Sequence, residues 1–227
     1  STSLIPGDQV EIYYNPDLLT LQPPKAVCLS DQNHYSVWFK PAGMLAQGTQ
    51  YGDHCSLVRQ VELYFGPSRE VLLVHRLDRE ASGLMLLAHG KYAAAKLSGL
   101  FQDNRIIKTY FVEVLGNPDN KGRQGIIDFT LDGKTSLTEF HVKSYDPDKN
   151  TSIVEVVLRT GRLHQIRRHF EMLGTPVIGD PKYGSGNKNT AGMKLSAVSL
   201  SFLCPFLHKK VEYSSLELHD YSNDVTI

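Results

Sequence analysis

The sequence predicts an α+β domain built on a mixed, mostly antiparallel central sheet that a few helices flank. Three observations favour this class. Short runs of alternating apolar and polar residues recur through most of the chain, whereas only three segments carry apolar residues at helical spacing. The strand and helix patterns follow one another in no strict βαβ order, which argues against a purely parallel sheet. A length of 227 residues suffices for one large domain or for one domain with a small appendage.

The strand patterns begin at Tyr35–Phe39, where Pro41 and Gly43 end the run. Further strands are predicted at residues 71–74, 84–88, 110–115, 125–131, 137–142, 153–158 and 198–203. Residues 1–24 differ from the rest, because they contain one short alternating run, Gly7–Ile12, followed by proline-rich breaks. We therefore expect an N-terminal extension over 1–24 and the main domain over 25–227.

Three helices are predicted from apolar spacing. The first covers Ser56–Phe65 and the second Lys91–Asp103. The third places Leu163, Ile166, Phe170 and Leu173 within about 80° of one another, so these residues form a stripe that faces the core. Thr160 or Gly161 is expected to cap its start, and Gly174 to follow its end. On the same helix Arg167 should stand half-buried at the edge of the core, with Arg168 and His164 pointing further outward.

Composition describes an ordinary globular chain without a strong charge. Hydrophobic residues make up 41% and charged residues 21% of the sequence, which argues against disorder. Twenty-four Lys and Arg balance twenty-four Asp and Glu. A nucleic-acid partner would therefore require positive charge that is gathered locally.

The apolar runs and the cysteines favour a cytoplasmic protein. The longest apolar runs are a handful of residues, far short of the roughly 20 that a membrane helix needs, and the first residues show no signal-peptide pattern. The three cysteines, Cys28, Cys55 and Cys204, lie far apart and form no Cys-x-x-Cys. This usage favours free thiols in a reducing compartment.

A charged segment, Val74–Glu80, lies between two apolar strands and is the strongest candidate for a site. The plain alternative is a solvated turn with surface ion pairs. In the functional interpretation Asp78 is a nucleophile or base with Arg76 and Arg167 nearby, because an aspartate beside arginine stays ionised. That state suits a nucleophile and does not suit a general acid.

Other motifs fail on spacing. Gly133-Lys134-Thr135 lacks the preceding glycines of a phosphate-binding loop. His164 and His169 are five residues apart, which does not match the metalloprotease helix. No serine stands in a Gly-x-Ser-x-Gly turn. We therefore expect neither a metal nor a small-molecule cofactor.

Four segments, in order, resemble the RluA family of pseudouridine synthases. Val74-His75-Arg76-Leu77-Asp78, followed by Ser82-Gly83, resembles the family's His-Arg-Leu-Asp signature. The others are Phe39-Lys40-Pro41-Ala42-Gly43, Lys108-Thr109-Tyr110, and Arg159–His169 with its tail Gly174–Asp180 and Tyr183-Gly184. The resemblance spans about residues 26–205. It implies the pseudouridine synthase catalytic fold and the isomerisation of specific uridines in structured RNA, either ribosomal or transfer RNA.

The resemblance also implies roles for individual residues. Asp78 would be the catalytic aspartate, Tyr110 would stack on the flipped uracil, and Arg167 would pair with Asp78. Arg76 would fill the space that the extruded base leaves, or hold the flipped nucleotide. The expected substrate- and RNA-binding residues are Arg76, His75, Lys40, Lys108, Arg162, His164, Gln165 and Arg168. Base flipping, a water-poor pocket and an aromatic platform are what such a reaction needs.

Several alternatives stay open at this point. The chain could be a non-catalytic RNA-binding or RNA-folding module of the same fold, or, with less support, a hydrolase with an aspartate nucleophile. Attack of Asp78 on C1′ of the ribose and on C6 of the base are both compatible with these residues. Residues 7–12 resemble the last strand of an S4-type RNA-binding domain, so the extension could be a remnant of one. A monomer is the default expectation.

Overall fold

The computed structural model describes residues 3–11, 20, 22–48, 55–118 and 124–215 of the chain. Within these residues it contains ten strands and three α-helices. The strands are β1 Val27–Gln32, β2 Tyr35–Lys40, β3 Val71–Leu73, β4 Ser82–His89, β5 Ile107–Leu115, β6 Gln124–Ile127, β7 Thr138–Asp146, β8 Thr151–Leu158, β9 Leu195–Leu203 and β10 Lys210–Ser214. The helices are α1 Leu57–Phe65, α2 Lys91–Gln102 and α3 Gln165–Met172.

The strands form one mixed sheet. Its main order is β1-β2-β4-β9-β5-β8-β7-β6, with β3 added to β4 and β10 added to β9. Among the described strands only β4 and β9 pair in parallel, and they do so over Ser82–Gly83 and Ser196–Ala197. Every other pair is antiparallel. The predicted α+β class with a mostly antiparallel sheet is confirmed.

Apolar side chains cover both faces of this sheet, as the alternation along β4 shows. Leu84 and Leu86 pack on one face with Ala93 and Leu97 of α2. Met85 and Leu87 belong to the second core, which also contains the buried residues of α1 and α3. Because successive strand residues point to opposite faces, the continuous apolar run of β4 serves two cores.

The third helix begins later than the sequence suggests. His164 takes a left-handed conformation, with φ of 52°, and α3 starts only at Gln165. Leu163 therefore lies outside the helix and is 59% exposed, so its placement in the core stripe was wrong, as were caps at Thr160 or Gly161. Ile166 and Phe170 are buried as predicted. Arg167 is 2% exposed, which is deeper than the expected half-burial.

The described part of the N-terminal extension has a turn and no strand. The amide of Asp8 donates to the carbonyl of Ile5 at 3.1 Å, and residues 3–11 contain no regular element. The strand expected over 7–12 is therefore absent as far as residue 11, and Ile12 lies outside the described residues. The division into an extension (1–24) and a main domain (25–227) stays a prediction.

The register of the central strands brings the predicted site together. Gly83 of β4 pairs with Ala197 of β9, and Ala197 pairs in turn with Tyr110 of β5. Since neighbouring strands lie about 4.8 Å apart, Tyr110 stands only two strands away from the start of β4. The loop that carries Asp78 leads directly into that start.

Gly83 is required where β4 meets β9. Its φ is +119°, and a Cβ added there would lie 2.3 Å from the carbonyl oxygen of Ala197. Any side chain would therefore push β9 away from β4 and disturb the adjoining loop.

We expect Gly83→Ala to lower the free energy of unfolding by at least about 3 kcal/mol, because it combines backbone strain with overpacking. Gly99→Ala is the matched control, since Gly99 lies in α2 with nothing within 4 Å of an added Cβ. That variant should gain up to about 1 kcal/mol from helix propensity. Urea unfolding measures both, and equal effects of the two substitutions would contradict this account of the β4–β9 junction.

Candidate active site

Asp78 lies in the loop between β3 and β4, at the wall shared by two clefts. A cleft of about 450 Å³ opens on the side of Leu77, Glu80 and Pro181. A second cleft of about 570 Å³ opens on the side of Lys108 and Tyr110. Arg76, Asp78 and His164 line both clefts. The side chain of Asp78 is 17% exposed, so it is accessible to a bound molecule and partly shielded from water.

Arg167 joins Asp78 to a second carboxylate, Asp180. Its Nη1 donates to Oδ2 of Asp78 at 2.8 Å, while its Nε and Nη2 donate to the two carboxylate oxygens of Asp180 at 2.6 and 2.8 Å. Asp180 is fully buried, and its Oδ1 also accepts the amides of Lys182 and Tyr183 at 2.8 and 3.0 Å. The guanidinium is therefore fixed in one orientation and presents one N–H edge to Asp78.

Arg167 and Asp180 hold each other in the ionised form. Burial alone would lower the pKa of Arg167, but the hydrogen bonds and charges of Asp180 and Asp78 outweigh it and raise that pKa. Burial raises the pKa of Asp180, but Arg167 and the two backbone amides lower it by more than burial raises it, so the net change is a decrease. Glu80 adds a third carboxylate, 3.8 Å from Nη1 of Arg167.

Asp180 and Tyr183 were not predicted to belong to the site. The phenol of Tyr183 lies 3.0 Å from Nδ1 of His164, and its ring lies 5.1 Å from the guanidinium carbon of Arg167. A single aspartate after Gly179 is typical of a turn, so neither spacing nor periodicity marks it as functional. Its place within the segment that resembles the family was the one available signal.

His164 faces the site instead of pointing outward. Its Nε2 lies 3.6 Å from Oδ1 of Asp78. Burial lowers the pKa of His164, and the nearby Asp78 only partly offsets this effect. The left-handed backbone turns the imidazole back across the start of α3, which explains why helical geometry gave the wrong direction.

Tyr110 lies beside Asp78, at the wall of the larger cleft. It is 8% exposed and lines, with Asp78, Leu158 and Ile166, an inner cavity of about 80 Å³ that adjoins the cleft. Burial and the charge of Asp78 raise the pKa of Tyr110, so its phenol stays protonated. The predicted trio of Asp78, Tyr110 and Arg167 is brought together.

Lys40 does not reach the cleft, contrary to the prediction. It is fully buried, and its ammonium donates to four backbone carbonyls, those of Pro41, Met44, Arg79 and Ala81, at 2.7 to 3.3 Å. Burial lowers the pKa of Lys40 to about 8, although Asp78 and Glu80 act in the opposite direction. Lys40 ties the turn after β2 to the Asp78 loop, and it has no free donor for RNA.

Gln165 is likewise an internal brace. It is 2% exposed, and its Oε1 accepts from the hydroxyl of Thr160 at 2.8 Å and the amide of Arg162 at 2.9 Å. Its Nε2 donates to Leu137 and Thr138. These four bonds occupy the amide in fastening α3 to β7, although Gln165 also lines the inner cavity beside Tyr110; its contact with RNA stays a prediction.

His75 anchors the catalytic loop to β4. Its Nε2 accepts the amide of Leu86 at 2.8 Å, and its ring stacks on Phe101 with centroids 4.3 Å apart. Burial, together with the charge of Lys108, lowers the pKa of His75 to about 3. The neutral ring lines the cleft, but its accepting nitrogen is already used by the protein.

The remaining predicted cations divide between the cleft and the outer surface. Arg76, Lys108 and Arg162 line the larger cleft. Nε of Arg162 donates to the carbonyl of Thr135 at 3.1 Å. Arg168 instead makes a two-pronged ion pair with Asp132, at 2.8 and 3.0 Å, and lines neither cleft. Arg168 thus points outward as expected, and its contact with RNA stays a prediction.

Within the described ranges, no three His, Cys, Asp or Glu side chains are grouped so that they could hold a metal ion. In the same part of the chain, no helix combines the length and apolar composition that crossing a membrane requires.

The motifs and this geometry agree with the comparison to known proteins. The RNA pseudouridylate synthase family matches residues 34–172, which contain Asp78, Tyr110 and Arg167. The chain therefore belongs to this family, and the resemblance to its RluA members is confirmed. Asp180 and Tyr183 lie beyond the matched range.

Two relatives show the extent of the similarity. The dual-specificity RNA pseudouridine synthase RluA of Vibrio vulnificus is 32% identical over 207 residues, which cover 82% of this chain and 80% of the relative. The ribosomal large subunit pseudouridine synthase C of Rickettsia felis is 34% identical over 163 residues, covering 64% of this chain and 52% of the relative. The chain thus spans about half the length of the Rickettsia relatives that it matches.

A solved structure has the same fold. The human RNA Pseudouridylate Synthase Domain Containing 1 protein superposes with a TM-score of 0.70 at 22% identity, covering 91% of this chain and 98% of that chain. The agreement supports the sheet topology described above.

The buried ion pair of Arg167 and Asp180 should contribute much more to stability and activity than the exposed pair of Arg168 and Asp132. We expect Asp180→Asn to lower the free energy of unfolding by about 3 kcal/mol, because it leaves a buried guanidinium half-paired. It should also lower turnover 10- to 100-fold, as loss of a supporting partner does at other sites. Asp132→Asn breaks the similar two-pronged pair with Arg168 at the surface and should leave the free energy of unfolding almost unchanged. Urea unfolding and single-turnover rates compare the two, and similar losses would contradict the role of Asp180.

Acid should destabilise the protein through His75. Because folding lowers the pKa of His75 from 6.5 to about 3, its stabilisation is complete above pH 6.5 and is lost as the pH falls toward 3. At pH 5 the loss from this residue is about 2 kcal/mol. His75→Gln keeps an acceptor without titrating, so its unfolding free energy should fall less steeply between pH 7 and 5.

The exposed histidine of β7 provides the control, since His141→Gln should leave the slope as in the wild type. Folding also lowers the pKa of three other histidines, His89, His164 and His169, so some slope persists in every variant. Identical slopes for His75→Gln and the wild type in urea titrations would show that His75 does not anchor the loop as a neutral acceptor.

Proposed function

We propose that this chain converts uridine to pseudouridine in structured RNA, with Asp78 as the catalytic carboxylate. The observation that carries the proposal is the placement of Asp78. Arg167 holds it at 2.8 Å, at the wall of a cleft that Tyr110 also lines. The name of the Rickettsia relative indicates ribosomal RNA as one substrate class to test, and the family resemblance stated for the sequence adds transfer RNA.

The isomerisation balances within one nucleotide. The bond between N1 of uracil and C1′ of ribose breaks, and a bond between C5 and C1′ forms. The proton on C5 is lost, and N1 gains one. A carboxylate can form a transient covalent bond to the substrate that divides this change into two steps. Asp78 suits that task because Arg167 fixes one of its oxygens while Oδ1 faces His164 at the cleft.

Tyr110 serves in this proposal as the platform for the base. A uracil extruded from its stack would enter the inner cavity beside Tyr110 and Asp78. Stacking of a base on an aromatic ring is worth about 1 to 3 kcal/mol in single-strand binding systems. Its protonated phenol adds no charge beside the carboxylate. Arg76 is exposed at the rim, where it could hold the flipped nucleotide or fill the space that it leaves.

The cations of the cleft supply the attraction for RNA. With a formal net charge of zero, the chain depends on Arg76, Lys108 and Arg162 to meet phosphates. Binding should therefore weaken as salt rises. One chain contributes Asp78, Tyr110 and Arg167, so the proposed enzyme needs no second copy to complete its site. The described cysteines are free thiols, which suits action in the cytoplasm.

Release of tritium tests the proposal, because isomerisation removes the hydrogen from C5. RNA transcripts of ribosomal and transfer sequences carrying [5-³H]uridine should lose label to water with the wild type. Asp78→Asn should lower the rate by at least about 10⁴-fold, as loss of a covalent catalyst does, while RNA affinity stays within about threefold. Asp103→Asn removes an exposed carboxylate paired with Arg105 and is the control.

Two results would contradict the proposal in different ways. Full tritium release by Asp78→Asn would remove Asp78 from the chemistry. A wild type that binds these RNAs tightly and releases no label from any of them would instead favour an RNA-binding module without turnover.

A further inference from the structure

Two buried lysines, Lys40 beneath the Asp78 loop and Lys108 beside the larger cleft, differ in their hydrogen-bond partners. The ammonium of Lys40 has no donor left over, since it donates to four backbone carbonyls. Lys108 is 8% exposed, yet its ammonium makes no hydrogen bond or ion pair with any residue that the structure describes. Two lysines of one active site therefore differ in whether the protein itself supplies acceptors.

The stem of Lys108 is largely buried, and its ammonium reaches the larger cleft. Polar groups in such surroundings are paired as a rule, and each exception calls for an explanation. Burial lowers the pKa of Lys108 with no carboxylate to offset it, whereas Asp78 and Glu80 partly offset the same effect at Lys40. The missing acceptor must come from outside the chain if Lys108 is to be paired.

The position of Lys108 indicates where that acceptor would lie. Lys108 and Tyr110 are two residues apart on β5 and share its buried face, so they stand about 7 Å apart along the strand. Arg76 and Arg162 line the same cleft. Gly161 lies beside the ammonium: a Cβ added there would contact Nζ of Lys108 at 3.4 Å, so the lack of a side chain leaves that side of the ammonium clear.

We infer that Lys108 forms a phosphate subsite next to the base-binding position. Its ammonium would bind a non-bridging oxygen of the phosphodiester beside the uridine that rests on Tyr110, with Arg162 as the second cation. The inference rests on the proposed function and adds to it the group that Lys108 recognises. Asp78, the carboxylate that lines this cleft, already pairs with Arg167 and does not serve as the acceptor for Lys108. The negative charge of an RNA phosphodiester can fill that role.

This role predicts that stability and RNA affinity respond in opposite directions. Lys108→Met keeps the length of the side chain and removes a charge that partial burial disfavours and no described residue pairs, so its melting temperature should be equal to or above that of the wild type. Its affinity for RNA should fall about tenfold. The slope of log affinity against log salt should decrease in magnitude by about one, as for loss of one phosphate contact.

Binding is measured with the Asp78→Asn background, so that the RNA is not altered, between 50 and 400 mM KCl. Lys108→Arg keeps the charge and should retain the slope. Lys96→Met is the matched control, because Lys96 is an exposed lysine of α2 that lies over Tyr92. It should change the affinity by less than about twofold and leave the slope unchanged.

In the active background, Lys108→Met should raise KM for labelled RNA about tenfold with kcat within twofold. Unchanged affinity and slope would overturn the subsite. A loss of kcat with unchanged KM would overturn it too, because it would assign Lys108 to the chemistry. A wild type that binds RNA but releases no tritium contradicts only the proposed isomerisation, since the binding comparison still decides the role of Lys108. If the wild type binds no RNA, both proposals are wrong.

Discussion

The arrangement of the site depends on one guanidinium shared by two carboxylates. Asp180 takes the two-pronged side of Arg167 and leaves Nη1 to donate to Asp78. A buried arginine with one partner would be costly, and a buried aspartate without one would be more so. Together they form a fixed base that orients the carboxylate of Asp78. Because α3 supplies Arg167 and the following loop supplies Asp180, the helix and the loop must both be in place before Asp78 is oriented.

The two buried lysines and His75 show how the protein treats polar groups around this centre. The ammonium of Lys40 and the accepting nitrogen of His75 are used in fastening the Asp78 loop, one through backbone carbonyls and the other through the amide of Leu86. Lys108 lies in the same region without a partner in the described structure. The polar groups that are hydrogen-bonded within the protein hold the loop in place, whereas the ammonium of Lys108 is available to a ligand. Hydrogen bonding within the protein therefore distinguishes the lysine that braces the loop from the lysine that is available to a ligand, which sequence position alone does not do.

Strand alternation and helical spacing predicted the fold class and the positions of most elements, because burial on two sides of a sheet leaves a clear apolar pattern. The same reasoning failed at Leu163, since a left-handed residue at His164 breaks the helical phase and no periodicity reveals it. Family motifs correctly grouped Asp78, Tyr110 and Arg167. They could not tell Lys40 and Gln165, which are internal braces, from residues that face RNA, because a motif records which residues recur and not where their hydrogen bonds go.

Mapping pseudouridines across the RNA of the source cell tests most directly whether the Arg167 fork supports catalysis by Asp78. The gene would be deleted, then restored either as the wild type or as Arg167→Lys, which keeps the charge but cannot bind two carboxylates as a fork. We expect specific pseudouridines to vanish on deletion and to return only with the wild type. Unchanged sites after deletion, or full restoration by Arg167→Lys, would contradict the account.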